Sequence, residues 1–286
     1  HLYKFSAQIR EERKELLDVS LINCNIAESL RLSGNLYEAQ VRIGYALKFG
    51  RDDVRAQIFA EYMRGIIMAT LGDAVKSEIP MRRANAIATK SKMSQGEGLI
   101  HSYLAQSHLW LGKLTSALSQ ANRAWELAYV NSGERDFIRA ARLQGAVSLK
   151  LNDFAAADER LHHALTRARQ VNLVEEELPA LIALSELRRR QNQPAEAREL
   201  LDDVWEAAER GPYPLFHADA MNVLAQLERD AGNTAKAIEA ATQAYRLAWC
   251  DGPPYAYHWG LEAARKHLRE LGAPEPEMPP FDPSKF

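Results

Sequence analysis

Residues 105–124, AQSHLWLGKLTSALSQANRA, contain the pattern that decides the fold. Gly112 separates two runs with helical spacing of apolar residues, and glycine readily takes the left-handed conformation that ends a helix. Small residues flank this turn at fixed distances: Ala105 lies seven residues before it, Ala117 five after it and Ala124 twelve after it. The stretch therefore predicts a hairpin of two α-helices.

The same pattern recurs along the chain with a period close to 40 residues. Successive turns are 40 residues apart, except for the first interval of 38, and they fall at Gly34, Gly72, Gly112, Asn152, Asn192, Gly232 and Gly272. Of the 18 flanking positions, 17 hold Gly, Ala or Ser. The three columns are Ala27, Gly65, Ala105, Gly145, Ser185 and Ala225; Ala39, Ser77, Ala117, Ala157, Ala197 and Ala237; and Ala46, Ala84, Ala124, Ala164, Val204 and Ala244.

Small residues in these columns have a physical reason. Where two helices cross closely, a larger side chain would push their backbones apart. Alanine is common in helices for other reasons, but scattered alanines do not form three columns locked to one period. The columns therefore predict an all-α fold in which hairpins stack closely on one another.

These columns, together with SGNLYEA at 33–39 and LGKLTSA at 111–117, resemble the tetratricopeptide repeat. The usual repeat has 34 residues, so the longer period adds about three residues to each helix. HEAT and armadillo units have a similar length, but the small-residue columns favour the tetratricopeptide type. The resemblance implies a right-handed α-solenoid of antiparallel helix hairpins, with the first helix of each pair lining the concave side.

The repeat pattern divides the chain into four segments. Residues 1–17 are expected to form the second helix of a truncated repeat, so we expect the natural protein to continue N-terminally. Residues 18–250 are predicted to form six full hairpins, and residues 251–272 a capping helix without a partner helix. The proline-rich tail 273–286 should be extended and lie along the last helices through its two phenylalanines, Phe281 and Phe286.

Composition excludes several classes of partner. The formal net charge of −2 gives no overall attraction to nucleic acid or to an anionic membrane, so we expect neither as a partner. Two cysteines, Cys24 and Cys250, are too few for a disulfide framework and fit a reducing compartment. No apolar stretch approaches the roughly 20 residues of a membrane-spanning helix, and the N-terminus lacks the order of a signal peptide. These features predict a soluble, cytoplasmic protein.

The sequence has none of the motifs that mark common catalytic or cofactor sites. The patterns GxxxxGK[ST], HExxH, CxxC and GxSxG are all absent. His162 and His163 are adjacent, and adjacent helical side chains point about 100° apart, so the two cannot ligate one metal ion without help from elsewhere. His101 and His108 share a helix face but lack a visible third ligand. The sequence therefore predicts no enzymatic activity, no cofactor and no metal site.

The resemblance also implies which residues face a ligand in the groove, namely those 10 and 6 residues before each turn and their neighbours one helical turn away. Arg139 and Arg142 lie one turn apart and form a candidate anion-binding patch. The family's clamp for a C-terminal carboxylate needs Lys and Asn at set positions, and only Asn222 matches part of it. The ligand-groove candidates are Glu28, Arg31, Tyr62, Ser102, Gln106, Arg139, Arg142, Glu186, Arg189, Asn222, Gln226 and Arg229.

The C-terminal stretch DGPPYAYHWGLEAARKHLRELGAPEPEMPPFDPSKF at 251–286 resembles the end of tetratricopeptide arrays in bacterial multidomain proteins. Many of these carry a nucleotide-hydrolysing switch domain of the STAND class nearer the N-terminus. The resemblance implies a non-catalytic sensor or regulatory part of a larger signalling protein. Its partners would be a protein or peptide on the concave face and an N-terminal nucleotide-binding domain of the same chain. The alternative is a free-standing adaptor or scaffold that joins two proteins.

Overall fold

The computed structural model describes residues 16–131, 133–208 and 211–285, and in this part of the chain it contains thirteen α-helices and no strand. Most of the predicted segment 1–17 lies outside the described residues, as does Phe286. The helices are α1 (Leu16–Leu32), α2 (Leu36–Phe49), α3 (Val54–Thr70), α4 (Ala74–Lys90), α5 (Ser94–Trp110), α6 (Leu114–Asn131), α7 (Glu134–Lys150), α8 (Phe154–Gln170), α9 (Val174–Arg190), α10 (Pro194–Ala208), α11 (Pro214–Asp230), α12 (Thr234–Trp249) and α13 (His258–Glu270).

The first twelve helices pair as six antiparallel hairpins, and α13 packs against α11 and α12. The first helices of neighbouring hairpins also touch one another, whereas the second helices in the described part make no comparable contact. The first helices therefore form the inner face of the stack and the second helices its outer face. The predicted fold class is confirmed.

The turn between the two helices of each hairpin has the left-handed backbone that the sequence predicts. At the six hairpin turns, and at the seventh predicted position Gly272 after α13, φ is positive, from 60° at Asn192 to 96° at Gly72. Only Gly, and to a lesser degree Asn, adopts this conformation without steric cost, and it lets the chain reverse within a few residues. The period read from the sequence is thus the period of the turns.

The small-residue columns lie where helices cross closely, as predicted. All 18 positions are buried, and most are fully inaccessible to solvent. A Cβ atom added to Gly65 would lie 2.5 Å from Cγ of Met81, and one added to Gly145 would lie 2.6 Å from Cγ of Leu161. Real Cβ atoms do not approach other carbons so closely, so the packing between the helices requires glycine at these positions.

The C-terminal segment returns to the first hairpins, which the repeat pattern did not predict. The indole of Trp259 stacks on that of Trp110, with ring centroids 5.7 Å apart. The backbone N–H of Tyr37 donates a hydrogen bond to Oδ2 of Asp251 at 2.9 Å. The array therefore completes a turn in which the end of the chain packs against its beginning.

The C-terminal tail, residues 273–285, also connects the end of the array to its beginning, a contact that we call the closure of the array. It has no regular secondary structure until a short 3-10 turn at Pro283–Lys285. The indole N–H of Trp249 donates to the carbonyl of Pro279 at 2.8 Å. Phe281 packs against Tyr255, between α12 and α13, and against Tyr37 of the first hairpin, with ring-centroid distances of 4.7 and 5.1 Å. No helix in the described segments combines the length and the apolar character needed to cross a lipid bilayer.

Candidate functional site

A cavity of about 460 Å³ lies on the inner face of the stack. Among the residues that the structure describes, the lining side chains come from the first helices α1, α3, α5, α7, α9 and α11, with the addition of Tyr257 from the segment before α13. The volume falls within the range of sites that hold small ligands or a few residues of a peptide. Because all six hairpins contribute, the cavity exists only when the whole array is assembled.

Apolar and charged side chains share the cavity wall. The apolar part includes Ile66, Leu143, Ile182, Phe216 and Val223, drawn from four of the six first helices. Such a mixed surface can bury an apolar side chain while polar groups orient the rest of a ligand.

A buried cluster of two arginines around one glutamate forms the centre of the charged part. Nε of Arg139 donates to Oε1 of Glu176 at 2.5 Å, and Nε of Arg142 donates to Oε2 at 2.7 Å. All three side chains are at most 11% exposed. Burial alone would raise the pKa of Glu176, but the two guanidinium charges outweigh it and hold the pKa below its ordinary value.

A second ion pair connects this cluster to the first hairpin. Arg31 binds Glu28 through Nε and Nη2, both at 2.8 Å, in a two-pronged contact. The hydroxyl of Tyr103 lies 3.5 Å from Oε1 of Glu28, and the guanidinium of Arg139 lies over the Tyr103 ring, 5.3 Å from its centroid. Burial raises the pKa of Tyr103 to about 12, so the phenol is a neutral donor. Polar contacts therefore run across the cavity wall from α1 to α9.

Asp219 is an acid of the cavity whose pKa is raised. Its carboxyl accepts a hydrogen bond from the hydroxyl of Tyr257, with O···O distances of 3.0 and 3.2 Å. Burial raises the pKa of Asp219 to about 7, although the Tyr257 hydrogen bond and the Lys150 charge act in the opposite direction. Near neutral pH the carboxyl is therefore present in both protonation states.

Eight of the groove residues suggested by the sequence line this cavity: Glu28, Arg31, Ser102, Gln106, Arg139, Arg142, Glu186 and Gln226. Four have other contacts. Tyr62 is buried and stacks on Tyr103, and the Asn222 amide donates to the carbonyl of Gly260 at 3.0 Å. Arg189 binds Glu186 and Asp230, and Arg229 binds Glu270. Whether any of the twelve residues contacts a ligand stays a prediction.

Sequence reasoning missed several residues of the cavity. Asp219 lies 13 residues before its turn, as Arg139 does. Adding this position, one helical turn before the first groove position, to the candidates in every hairpin would have found Asp219. Glu176 lies one further turn before that position, at the start of α9. Tyr257 has no place in the repeat, because it enters the cavity only through the return of the C-terminal segment. No sequence pattern indicated it.

Comparisons with known proteins support the fold assignment. No protein-family model matches the chain, and no curated protein matches it. Among solved structures, NprR in complex with its cognate peptide NprX has a TM-score of 0.69 at 13% identity, over 94% of this chain and 78% of that chain. The apo form of RapI has a TM-score of 0.63 at 12% identity, over 94% and 98%.

A third similar structure is PH0952 from Pyrococcus horikoshii, a STAND protein with a tetratricopeptide repeat sensor. Its TM-score is 0.56 at 14% identity, over 94% of this chain and 42% of that chain. The fold of the chain is therefore that of tetratricopeptide arrays, as the small-residue columns predicted. At such identities the likeness concerns the fold.

Proposed function

We propose that the chain is a non-catalytic module that binds a short, extended protein or peptide segment in the inner cavity. The observation that carries this proposal is the cavity itself, which all six first helices and Tyr257 enclose. Gln106, Gln226 and Ser102 line it beside apolar side chains. Amides and hydroxyls can hydrogen-bond a peptide backbone whatever its side chains, while apolar pockets select the side chains.

The similar folds support the same proposal. NprR, whose structure holds its cognate peptide, and PH0952, whose repeats are described as a sensor, both have this architecture. We propose by the same reasoning that the chain is the sensor or regulatory part of a larger signalling protein and acts in the cytoplasm. A nucleotide-binding domain of the same chain would then be its intramolecular partner.

An adaptor that joins two proteins is the second candidate, and one surface feature favours it. Val75 and Ile79 lie one turn apart on α4, a second helix of the stack, and are 65% and 71% exposed. Exposed apolar side chains on the outer face are suited to a protein partner. An adaptor would use this surface in addition to the cavity.

Three of the histidines that the sequence analysis considered as metal ligands have structural neighbours. His162 lies beside Asp158, and His163 packs near Trp125, so the two rings have different neighbours. His101 contacts Gln120. Within the described residues, no group of three or more His, Cys, Asp or Glu side chains could hold a metal ion.

Peptide retention tests the proposed function. The immobilised protein is incubated with a pool of random pentapeptides, and the retained peptides are measured by mass spectrometry. Ala146→Trp would fill the cavity from α7, and Ala155→Trp places the same side chain at an exposed position of α8 as the matched control. We expect the wild type and Ala155→Trp to retain the same peptides and Ala146→Trp to lose them. Equal retention by both variants would contradict binding in the cavity.

A further inference from the structure

Positive charge is in excess along one wall of the cavity, that formed by α7. Each acid in the lining already has a partner: Glu28 binds Arg31, Glu175 binds Arg135, Glu176 binds two arginines, Glu186 binds Arg189 and Arg190, and Asp219 accepts from Tyr257. The lining cations of α7, by contrast, outnumber the acids that bind them. Arg139 and Arg142 share one carboxylate, and Lys150 has none among the described residues.

The two arginines present unused donors to the cavity. Both bind Glu176 through Nε, and among the described residues neither uses its outer Nη atoms in a hydrogen bond. A guanidinium has five N–H donors, and the two outer nitrogens together match the two oxygens of a carboxylate. With Glu176 counted, this cluster keeps one net positive charge. Because the cluster is buried, water would compete little with a bound anion, and the attraction between the anion and the arginines would be strong.

Lys150 is the second cation available to a ligand. Its ammonium forms no ion pair among the residues that the structure describes, although Asp219 and Glu186 are near enough to act on it electrostatically. Loss of water around it, followed by repulsion from Arg190 and Arg189, lowers the pKa of Lys150 despite those two acids. A ligand anion would supply the partner that this ammonium lacks.

The spacing of these cations fits an extended chain. Arg142, Ala146 and Lys150 follow one another on the same face of α7, and all three line the cavity. Lys150 lies eight positions after Arg142, which corresponds to about 12 Å along the helix axis. An extended peptide rises about 3.3 Å per residue, so about four residues span the distance. The small side chain of Ala146 leaves room for it in between.

We propose that the cavity selects an anionic peptide, with one carboxylate on the outer nitrogens of Arg139 and Arg142 and a second at Lys150. The peptide backbone would run along α7, and its apolar side chains would pack on the apolar part of the wall. The inference rests on the proposed peptide-binding function and adds the charge of the ligand to it. A carboxylate has two sources in a peptide, the chain terminus and an Asp or Glu side chain, which the test separates.

Three pentapeptide pools make the test. The first has free C-termini and no Asp or Glu, the second has amidated C-termini and includes Asp and Glu, and the third is amidated and lacks both. We expect the wild type to retain the first or second pool about tenfold more than the third, the effect of one charge-assisted hydrogen-bonded contact. The pool that is retained identifies the source of the carboxylate.

Two variants locate the effect. Arg142→Gln leaves Glu176 paired with Arg139, so no buried carboxylate is left alone, and Lys150→Gln removes a cation without an ion pair. Each should lower retention of the anionic pools about tenfold. Lys90→Gln, an exposed lysine on the second helix α4, is the matched control and should behave as the wild type.

The outcomes separate the two proposals. Retention of the third pool equal to that of the other two, or unchanged retention of the anionic pools by both Arg142→Gln and Lys150→Gln, would overturn the charge preference and leave peptide binding intact. If the wild type retains none of the pools, peptide binding itself fails, and the charge preference fails with it.

Discussion

The indole N–H of Trp259 donates a hydrogen bond to the backbone carbonyl of Ala69, 190 residues earlier in the chain, at 2.8 Å. A repeat array has contacts mostly between neighbouring repeats, so a bond of this kind arises only where the array meets itself. Tyr257, two residues before Trp259, and Trp110, on which Trp259 stacks, both line the cavity. The contact that closes the array is therefore continuous with the cavity wall.

Replacing Trp259 by alanine should loosen this closure. The change removes the stacking on Trp110 and the hydrogen bond to Ala69, at a site that is only partly buried. We expect the free energy of unfolding to fall by about 2 kcal/mol, less than for a fully buried tryptophan. The radius of gyration from small-angle X-ray scattering should rise, because α13 loses its contacts with the second and third hairpins. Tyr129→Ala, an aromatic residue that is 75% exposed, should change neither quantity. An unchanged radius of gyration for Trp259→Ala would show that the closure does not depend on this contact.

Two glycine substitutions should have opposite effects on stability. Alanine is intrinsically better than glycine in a helix by about 1 kcal/mol. In Gly145→Ala the new Cβ would lie 2.6 Å from Cγ of Leu161 and 3.1 Å from its backbone nitrogen, so the helices must move apart. We expect a net loss of about 1–3 kcal/mol in the free energy of unfolding, measured with urea.

Gly44→Ala is the matched control for this change. Gly44 also lies inside a helix, α2, but a Cβ there would meet nothing within 4 Å. The free energy of unfolding should therefore rise by up to about 1 kcal/mol, from helix propensity alone. Stabilisation by Gly145→Ala would show that close crossing is not the reason for the small-residue columns.

The repeat could be predicted because its causes are local. A left-handed turn at Asn152 and a close crossing at Gly145 each depend on residues within one hairpin, and the 40-residue period shows them six times. The charge cluster could be predicted only in part, because the sequence indicated that Arg139 and Arg142 bind an anion together. The sequence could not show that Glu176 on the next hairpin already occupies their Nε atoms, because that depends on how two first helices lie side by side.

Closure of the array could not be predicted for a different reason. Each hairpin turns by a small angle relative to the one before, and these angles add over the whole stack. Whether Trp259 reaches Ala69 depends on the sum, and an error of a few degrees per hairpin would separate them. The spacing of the repeat therefore contains no signal for the hydrogen bond between Tyr257 and Asp219.

Removing the carboxylate charge of Glu176 should destabilise the fold strongly. In Glu176→Gln, two buried arginines would lose the charge that they share. Breaking a buried ion pair from one side typically costs about 3–5 kcal/mol, which would appear in urea unfolding. Glu175→Gln removes the same charge one residue earlier, where the partner Arg135 is 59% exposed, and should cost less than about 1 kcal/mol. Equal effects of the two substitutions would mean that water or another acid replaces Glu176 as the partner of the two arginines.

Stability should depend on pH through Asp219. The pKa of its carboxyl is raised by burial from 3.8 to about 7, so between these values the folded chain holds a proton that the unfolded chain has lost. The contribution of the group to stability is therefore greatest at low pH and is lost as the pH rises through 7.

Tyr257 and Lys150 are the polar and charged groups that act on this carboxyl, and both keep their proton below pH 8 in the unfolded chain. From pH 5 to 8, the free energy of unfolding of the wild type should fall by about 2–3 kcal/mol relative to Asp219→Asn, which cannot ionise. Asp52→Asn, an exposed position, should follow the wild-type profile. Parallel profiles for the wild type and Asp219→Asn would mean that water reaches the carboxyl and that it is ionised throughout this range.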